Sequence, residues 1–133
     1  MHWSQETYEK VFEPRAPQRR LWVIEDRGQL QAFLIARFSE VECELENLVV
    51  ANQHRHRGLA FQLLQALVAT ARERNLERVL LEVRESNQAA RSLYEKVGFQ
   101  ENGRRRAYYT QPQEDAILFS LALNCTSADA PNR

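Results

Sequence analysis

The apolar residues in the first half of the chain cluster in short runs that polar turns separate. Residues 21–25 and 30–38 are rich in β-branched, aromatic and aliphatic side chains, which favours β-strands. They flank Asp26-Arg27-Gly28, a sequence typical of a tight turn between antiparallel strands. A further strand is predicted at about residues 45–50. This part of the chain is therefore predicted to form a hairpin and a third strand.

From Leu59 the pattern changes to a helical period, which continues to about Asn75. The apolar residues on this stripe are Phe61, Leu64, Leu67, Val68 and Ala71. They predict an amphipathic helix of about four turns. Residues 79–83 then form a nearly continuous apolar run, as expected of a central strand. Strand, helix and strand in this order predict a right-handed βαβ unit with two parallel strands.

The remaining sequence predicts a second helix at residues 87–97, ended by Gly98 as a C-terminal cap. Two antiparallel strands follow at residues 104–110 and 116–123, across a loop containing Pro112. At the N-terminus, Ser4 is a candidate cap for a short helix that runs to about Phe12. Pro14 and Pro17 would end that helix.

The sum of these elements is an α/β domain with a mixed central sheet flanked by helices. The length of 133 residues, 44% of them hydrophobic, allows one well-packed core and is too short for two ordinary domains. We expect one domain over residues 1–123. Residues 124–133 are small and polar and are expected to be a disordered tail.

The charge balance gives no indication of a nucleic-acid or membrane partner. Eighteen Lys and Arg residues match eighteen Asp and Glu residues, so the formal net charge is zero. No apolar stretch approaches the roughly 20 residues of a membrane span, and the first ten residues lack a signal-peptide pattern. Two cysteines and three histidines without ligand spacing predict neither a disulfide framework nor a metal site. A reducing cytoplasm is the expected compartment.

The segment between the third strand and the long helix has the composition of an anion-binding loop. Gly58 and Ala60 keep side chains away from the turn, so backbone N–H groups can converge at the positive end of the helix dipole. Arg55 and Arg57 add cations that suit a pyrophosphate. The alternative is a solvated basic loop with a glycine turn. A phosphate-loop NTPase is excluded, because no lysine follows Gly58 in the required pattern.

Several motifs in register then resemble one enzyme superfamily. The run from Arg55 through Gly58 and Leu59 to Ala60 matches the R/Q-x-x-G-x-G/A signature of the GNAT N-acetyltransferases. Further segments resemble the RimI branch of that superfamily, which acetylates the N-terminal amine of a ribosomal protein: Leu81-Glu82-Val83-Arg84, Ser86-Asn87, Leu93-Tyr94-Glu95, Val97-Gly98-Phe99, Arg105-Arg106, Tyr108-Tyr109 and Glu114-Asp115-Ala116-Ile117. The resemblance implies a GNAT fold, acetyl-CoA as co-substrate and a protein or peptide N-terminus as acceptor.

The resemblance also implies direct transfer from thioester to amine, which requires a base and an acid. Glu82 is the candidate base, since it interrupts an apolar strand beside the phosphate loop, where a buried carboxylate is costly. Taken alone, it could equally be a strand carboxylate bonded to a neighbouring Arg. Tyr94 is the candidate acid, and its ring could also serve core packing alone. The match to the family favours the catalytic role for both.

Other site residues follow from the same resemblance. Asn87 is expected to cap the second helix, to contact the pantetheine arm, or to do both. Leu48 and Val50 would offer backbone groups to the pantetheine and the acetyl carbonyl. Tyr108 and Tyr109 would hold the backbone of the acceptor peptide, although aromatic residues are also ordinary strand formers.

Glu44 and Glu46 are reserve candidates for the base, because both lie on the third strand near the position that a different GNAT branch uses. Two other functions remain open from the residues themselves. One is acetylation of a small-molecule amine, which would need an acidic pocket in place of the tyrosine pair. The other is a non-catalytic acyl-CoA-binding module, which could dispense with Glu82 and Tyr94.

The chain departs from the family at its start, where the first strand and the first helix are expected to be missing. Without that strand, the backbone edge of residues 21–24 would be exposed, which invites pairing with another chain. We therefore expect this edge to be occupied. The occupant would be either residues 1–15 folding back or a symmetric partner in a homodimer through residues 21–26.

Overall fold

The computed structural model describes the backbone of residues 5–10, 18–51 and 58–123, and the side chains of the last two ranges. These residues form one mixed sheet with the strand order β1-β2-β3-β4-β5-β7-β6, and two helices. The elements in chain order are β1 (Gln5–Lys10), β2 (Gln18–Asp26), β3 (Gln29–Phe38), β4 (Glu42–Val50), α1 (Leu59–Glu73), β5 (Arg78–Arg84), α2 (Gln88–Val97), β6 (Gln100–Thr110) and β7 (Gln113–Ala122). The predicted disordered tail at residues 124–133 lies outside the described residues.

The strand pairings confirm the predicted hairpins and the βαβ unit. β2 and β3 pair antiparallel around a turn at Arg27 and Gly28, which have φ angles of 55° and 80°. This left-handed backbone suits a tight hairpin and favours glycine. β4 and β5 pair in parallel, with α1 between them in the chain, and β6 pairs antiparallel with β7.

The helix predicted from Ser4 to about Phe12 is wrong. Residues Gln5–Lys10 form strand β1, which pairs antiparallel with β2 so that Thr7 lies opposite Trp22. A helix this short is marginal by itself in water, whereas the open edge of β2 offers backbone partners for a strand. Tertiary pairing therefore overrides the local helix signal.

The same pairing confirms that the edge of β2 is occupied, and by the N-terminal segment. β1 fills the place at the edge of the sheet where the sequence predicted a missing strand. Its hydrogen bonds use the backbone groups that the homodimer alternative would have needed.

The core forms where α1 packs on strands β2 to β5. Its buried face presents Leu59, Leu63, Leu64, Leu67, Val68 and Ala71, which is the predicted apolar stripe with small differences. Trp22, Leu34 and Phe119 are among the large side chains that the sheet contributes to this cluster. Because α1 also contacts α2, both helices cover the same face of the sheet.

A split between β4 and β5 positions the candidate site. The two strands pair only from Glu42 to Glu44, while β4 continues beside β3 as far as Val50. The register with β3 shifts at Glu46, as expected of a β-bulge, which bends a strand. The second half of β4 therefore leaves β5, and the described residues offer its free edge no strand partner. The gap opens at the carboxyl ends of two parallel strands, where ligands commonly bind in α/β sheets.

Candidate active site

A cleft of about 920 Å³ occupies this gap, within the range usual for ligand sites. It is lined by the second half of β4, the start of α1, the end of β5 and one face of α2. Among the predicted site residues, the structure brings eight together on its wall: Leu48, Val50, Gly58, Leu59, Ala60, Glu82, Asn87 and Tyr94. Tyr109 joins them from β6.

One end of the cleft is the N-terminus of α1. Gly58 caps the helix with a φ of 77°, and a side chain at this position would be strained. Among the residues that the structure describes, no side chain caps the helix here, so its first N–H groups can face a ligand, with the positive end of the dipole behind them. Arg55 and Arg57 lie outside the described residues, and their contact with phosphate stays a prediction.

The free edge of β4 forms one long wall. The side chains of Leu48 and Val50 pack against the core. The contact predicted for these residues, with pantetheine and the acetyl carbonyl, uses their backbone groups. This backbone lies along the part of the β4 edge that does not pair with β5. Backbone N–H and C=O groups on such an edge can bind an amide-containing ligand as a neighbouring strand would.

Glu82 faces the cleft and also has an arginine partner. Its carboxylate Oε2 lies 3.0 Å from Nε of Arg105, and its side chain is 24% exposed. The alternative interpretation, a strand carboxylate bonded to an arginine, is confirmed, and the role of Glu82 as base stays a prediction. The carboxylate is paired across the sheet, and it still reaches the cavity where a base would be needed.

The two reserve carboxylates, Glu44 and Glu46, also have arginine partners. Glu46 receives bonds from Nε and Nη2 of Arg19, at 2.8 and 3.2 Å, and Arg37 pairs with Glu44. Glu46 lines the cleft, whereas Glu44 does not. Glu44 is a poorer candidate base than Glu82 because it lies outside the cleft. Glu46 is poorer because two arginines, Arg19 and Arg37, pair with it.

Tyr94 lies on α2 between the cleft and the core. Its ring packs against Phe99 and Phe119, with centroids 5.9 and 6.1 Å away. Burial raises the pKa of Tyr94 to about 12, because the apolar surroundings disfavour a phenolate. The phenol is therefore protonated throughout the neutral range, as a proton donor must be, and the ring also has the packing role.

Asn87 has the predicted capping role. Its Oδ1 accepts a hydrogen bond of 3.1 Å from the backbone N–H of Ala90, which satisfies a free donor at the start of α2. The residue also lines the cleft. Its amide nitrogen remains a candidate donor to a ligand.

The tyrosine pair lies on the irregular strand β6, near the end of β5 and separated from it by β7. Tyr108 and Tyr109 contact each other edge to face, with ring centroids 5.2 Å apart. Tyr109 lines the cleft, while Tyr108 is 51% exposed beside it. The guanidinium of Arg84 lies 4.0 Å from the ring of Tyr109. Burial, with a smaller effect from the charge of Glu82, raises the pKa of Tyr109.

The cleft also contains side chains that the sequence analysis did not select. Phe61, Ser92 and Lys96 line its α1 and α2 walls, and the ammonium of Lys96 lies 5.2 Å from the ring of Phe61. Ser92 and Lys96 share a helix face by their spacing. This spacing was a signal in the sequence, but it is common on solvated helices and could not identify a cleft.

In residues 18–51 and 58–123, no group of three or more His, Cys, Asp or Glu side chains is arranged to hold a metal ion. Neither described helix is long and apolar enough to cross a membrane.

Comparison with known proteins identifies the family of the chain. Residues 1–99 match the model of the acetyltransferase (GNAT) family. The [ribosomal protein bS18]-alanine N-acetyltransferase of Escherichia coli K12 is 36% identical over 119 residues, which cover 87% of this chain and 80% of that protein.

Solved structures show the same fold. The crystal structure of the ribosomal-protein-S18-alanine N-acetyltransferase from Escherichia coli superimposes with a TM-score of 0.76 and 34% identity, over 83% of this chain and 72% of that one. A GNAT acetyltransferase from Elizabethkingia anophelis, solved with acetyl-CoA bound, has a TM-score of 0.73 at 18% identity, over 79% of this chain and 76% of that one. By its family match and its relatives, the chain belongs to the GNAT family of acetyltransferases.

Proposed function

We propose that this protein transfers the acetyl group of acetyl-CoA to the N-terminal α-amine of a protein, and that a ribosomal protein in the cytoplasm is its substrate. The observation that carries the proposal is the split between β4 and β5, which brings a free helix N-terminus, a carboxylate and a buried phenol into one cleft. The likeness to the Escherichia coli enzyme supports the acceptor.

The cofactor end of the cleft suits coenzyme A. Residues Gly58 to Ala60 would bind the pyrophosphate through their N–H groups, with Arg55 and Arg57 on the preceding loop as cations. The pantetheine would lie along the edge of β4, where the backbone of Leu48 and Val50 can pair with its amides. Asn87 would close this side from the start of α2.

Glu82 is the proposed base. An α-amine has a pKa of about 7.7 to 8.0, so it is partly neutral at physiological pH and needs only a modest base. The neutral nitrogen attacks the thioester carbonyl and a C–N bond forms. The excess proton on the nitrogen passes to the carboxylate of Glu82, directly or through water.

Tyr94 is the proposed acid. When the tetrahedral intermediate collapses, the C–S bond breaks and the sulfur departs with the electron pair. The phenol of Tyr94 donates a hydrogen bond and then its proton to that sulfur. A phenol of pKa about 12 is a weaker acid than a thiol of about 8.5. The favourable collapse to an amide therefore has to drive the transfer.

The acceptor would enter beside Tyr108 and Tyr109. Their rings flank the approach to Glu82, and Arg105 connects Tyr108 with that carboxylate, its Cζ lying 5.3 Å from the ring. Hydroxyl groups at this position can form hydrogen bonds with the backbone of a peptide, and these bonds do not depend on the side chains of the peptide. The first residue of a protein would thus be held with its amine directed towards Glu82.

The deciding experiment measures coenzyme A release from acetyl-CoA with a panel of acceptors. The panel contains a peptide that begins with Ala and carries an internal Lys, the same peptide blocked at its α-amine, and free polyamines. We expect release only with the unblocked peptide, and mass spectrometry should place the acetyl group on the α-amine. Acetylation of the internal Lys, or acceptance of polyamines alone, would overturn the proposed acceptor.

A further inference from the structure

Two adjacent carboxylates on β7, Glu114 and Asp115, hold the tyrosine pair from outside the cleft. Neither lines the cavity. Each nevertheless bonds to a segment that carries a residue of the proposed acceptor site. Glu114 reaches the end of β5, and Asp115 reaches β6.

Asp115 lies opposite a bulge in β6. Arg105 pairs with Ala116 and Tyr109 pairs with Glu114, so residues 106–108 all lie opposite Asp115. The extra residues have no place in the regular ladder, and Ala107 adopts a φ of 49°. This left-handed conformation is uncommon and strained for any residue except glycine. A specific contact must therefore stabilise Ala107 in this conformation.

The carboxylate of Asp115 supplies that restraint. Its Oδ1 accepts a hydrogen bond of 2.8 Å from the backbone N–H of Ala107, and its Oδ2 lies 2.8 Å from Nη1 of Arg104. The bond from Ala107, followed by that from Arg104, lowers the pKa of Asp115. The acceptor is therefore ionised at neutral pH, which strengthens both bonds.

The bulge determines where the two tyrosine rings lie. In a regular strand, adjacent side chains point to opposite faces and do not meet. Here the rings of Tyr108 and Tyr109 contact each other. Tyr108 also lies against Arg105, which pairs with Glu82. The bulge thus connects the tyrosine pair to the proposed base.

Glu114 restrains the second ring. Its Oε2 lies 2.9 Å from Nη1 of Arg84, the arginine stacked on Tyr109. Its Oε1 accepts a bond of 3.0 Å from the backbone N–H of Ser86, which precedes the cap of α2. The carboxylate therefore fixes Arg84 and the start of α2 together.

We propose that Asp115 is a positioning residue for acceptor binding: its carboxylate fixes the bulge at residues 106–108 and thereby places Tyr108 and Tyr109 beside Arg105 and Glu82. Glu114 completes this arrangement from the other side. The inference rests on the proposed function, since it assigns the tyrosine pair to the acceptor. It leaves the coenzyme A end of the cleft unaffected.

Four variants of the full chain test the proposal. Asp115→Ala removes the restraint, while Asp115→Asn keeps an oxygen that can accept the bond from Ala107. The double variant Asp115→Ala with Ala107→Gly supplies a residue that adopts the left-handed conformation without strain. Glu101→Gln is the matched control, because Glu101, like Glu85, is a further carboxylate beside Arg104; it lies 3.6 Å from the Nε of that arginine and does not bond to the bulge.

In Asp115→Ala we expect the KM for the peptide to rise about tenfold, as for loss of a charged hydrogen bond, with the Kd for acetyl-CoA unchanged. The peptide KM should rise less in Asp115→Asn than in Asp115→Ala. In the double variant it should return part of the way to the wild-type value, and in Glu101→Gln it should equal that value. An unchanged peptide KM in Asp115→Ala, a parallel loss of acetyl-CoA binding, or no recovery in the double variant would overturn the proposal.

Amide hydrogen exchange separates this inference from the proposed function, because it needs no acceptor. In Asp115→Ala, exchange should rise at residues 104–110 and stay unchanged in α1. A wild-type protein that acetylates no peptide would refute the proposed function. Unchanged exchange at residues 104–110 would refute the positioning role even in an active enzyme.

Discussion

Nε of Arg105 lies 3.0 Å from Oε2 of Glu82 across the intervening strand β7, and this pair joins the proposed base to the bulged end of β6. Arg105 is half exposed, so the contact does not shield the carboxylate from the cleft. The carboxylate therefore has an arginine partner in the free protein and still lines the cleft that an amine would enter.

Replacing Glu82 by Gln should therefore lower turnover by roughly 10²- to 10⁴-fold, because the amide cannot take the proton from the amine. The Kd for acetyl-CoA should stay unchanged. Steady-state kinetics and calorimetric titration measure the two quantities. Glu44→Gln is the control, since Glu44 is also paired with an arginine but does not line the cleft. Full activity of the Glu82 variant would remove it from the mechanism.

Tyr94→Phe keeps the ring and removes the proton donor, so turnover should fall by a similar factor of roughly 10² to 10⁴. Its core packing against Phe99 and Phe119 should persist, and the melting temperature at pH 8 should change little. Stopped assays at saturating acetyl-CoA and peptide would measure this. Wild-type turnover in the variant would leave Tyr94 with a packing role alone.

The same variant should change the stability at alkaline pH. Burial raises the pKa of Tyr94 in the folded protein to about 12, above its ordinary value of 10.0. Between these values the unfolded chain binds fewer protons, so the free energy of unfolding falls as pH rises. The rise in the pKa of Tyr94 corresponds to about 3 kcal/mol in full, of which about half would be lost by pH 11. Urea unfolding at pH 8 and pH 11 should show a smaller alkaline loss in Tyr94→Phe, and an equal loss would contradict the assigned burial effect.

Gly58→Asp should abolish the thermal stabilisation that coenzyme A gives the wild type, because it strains the turn and puts an anion where a phosphate would bind. Thermal denaturation with and without coenzyme A measures it. Gly28→Asp is a matched control, with a φ of 80° at a hairpin turn away from the cleft. Both variants should lose stability, but only the Gly58 variant should lose the response to coenzyme A.

Variants of Asn87 separate capping from ligand binding. Asn87→Ala should cost about 1 kcal/mol, because the N–H of Ala90 loses its partner, whereas Asn87→Ser retains a capping oxygen. If the amide nitrogen contacts pantetheine, both variants should bind acetyl-CoA more weakly than the wild type. If Asn87→Ser binds acetyl-CoA with wild-type affinity, the role of Asn87 is limited to capping α2.

The order of the elements from β2 to β7 was predictable because each leaves a local signal. Apolar spacing marks α1, glycine marks the turn after Arg27 and the end of α2, and a capping side chain marks its start. The local pattern of the N-terminal segment predicted a helix and was wrong, because Gln5–Lys10 takes its structure from the edge of β2 and not from its own sequence. That this segment covers the edge was predicted only as one of two alternatives.

The sequence by itself determined the family, the loop at Gly58 and the candidates Glu82, Tyr94 and Asn87, because these depend on residue types at fixed spacings. Only the tertiary structure decided which groups meet. The pairings of Arg105 with Glu82 and of Arg19 with Glu46 join residues far apart in the chain. The contacts of Arg37 with Glu44 and of Asp115 with the bulge depend on how adjacent strands are aligned. The physical reason is that strand register and bulges arise from pairing between separate segments, and the local spacing of residues does not indicate that pairing.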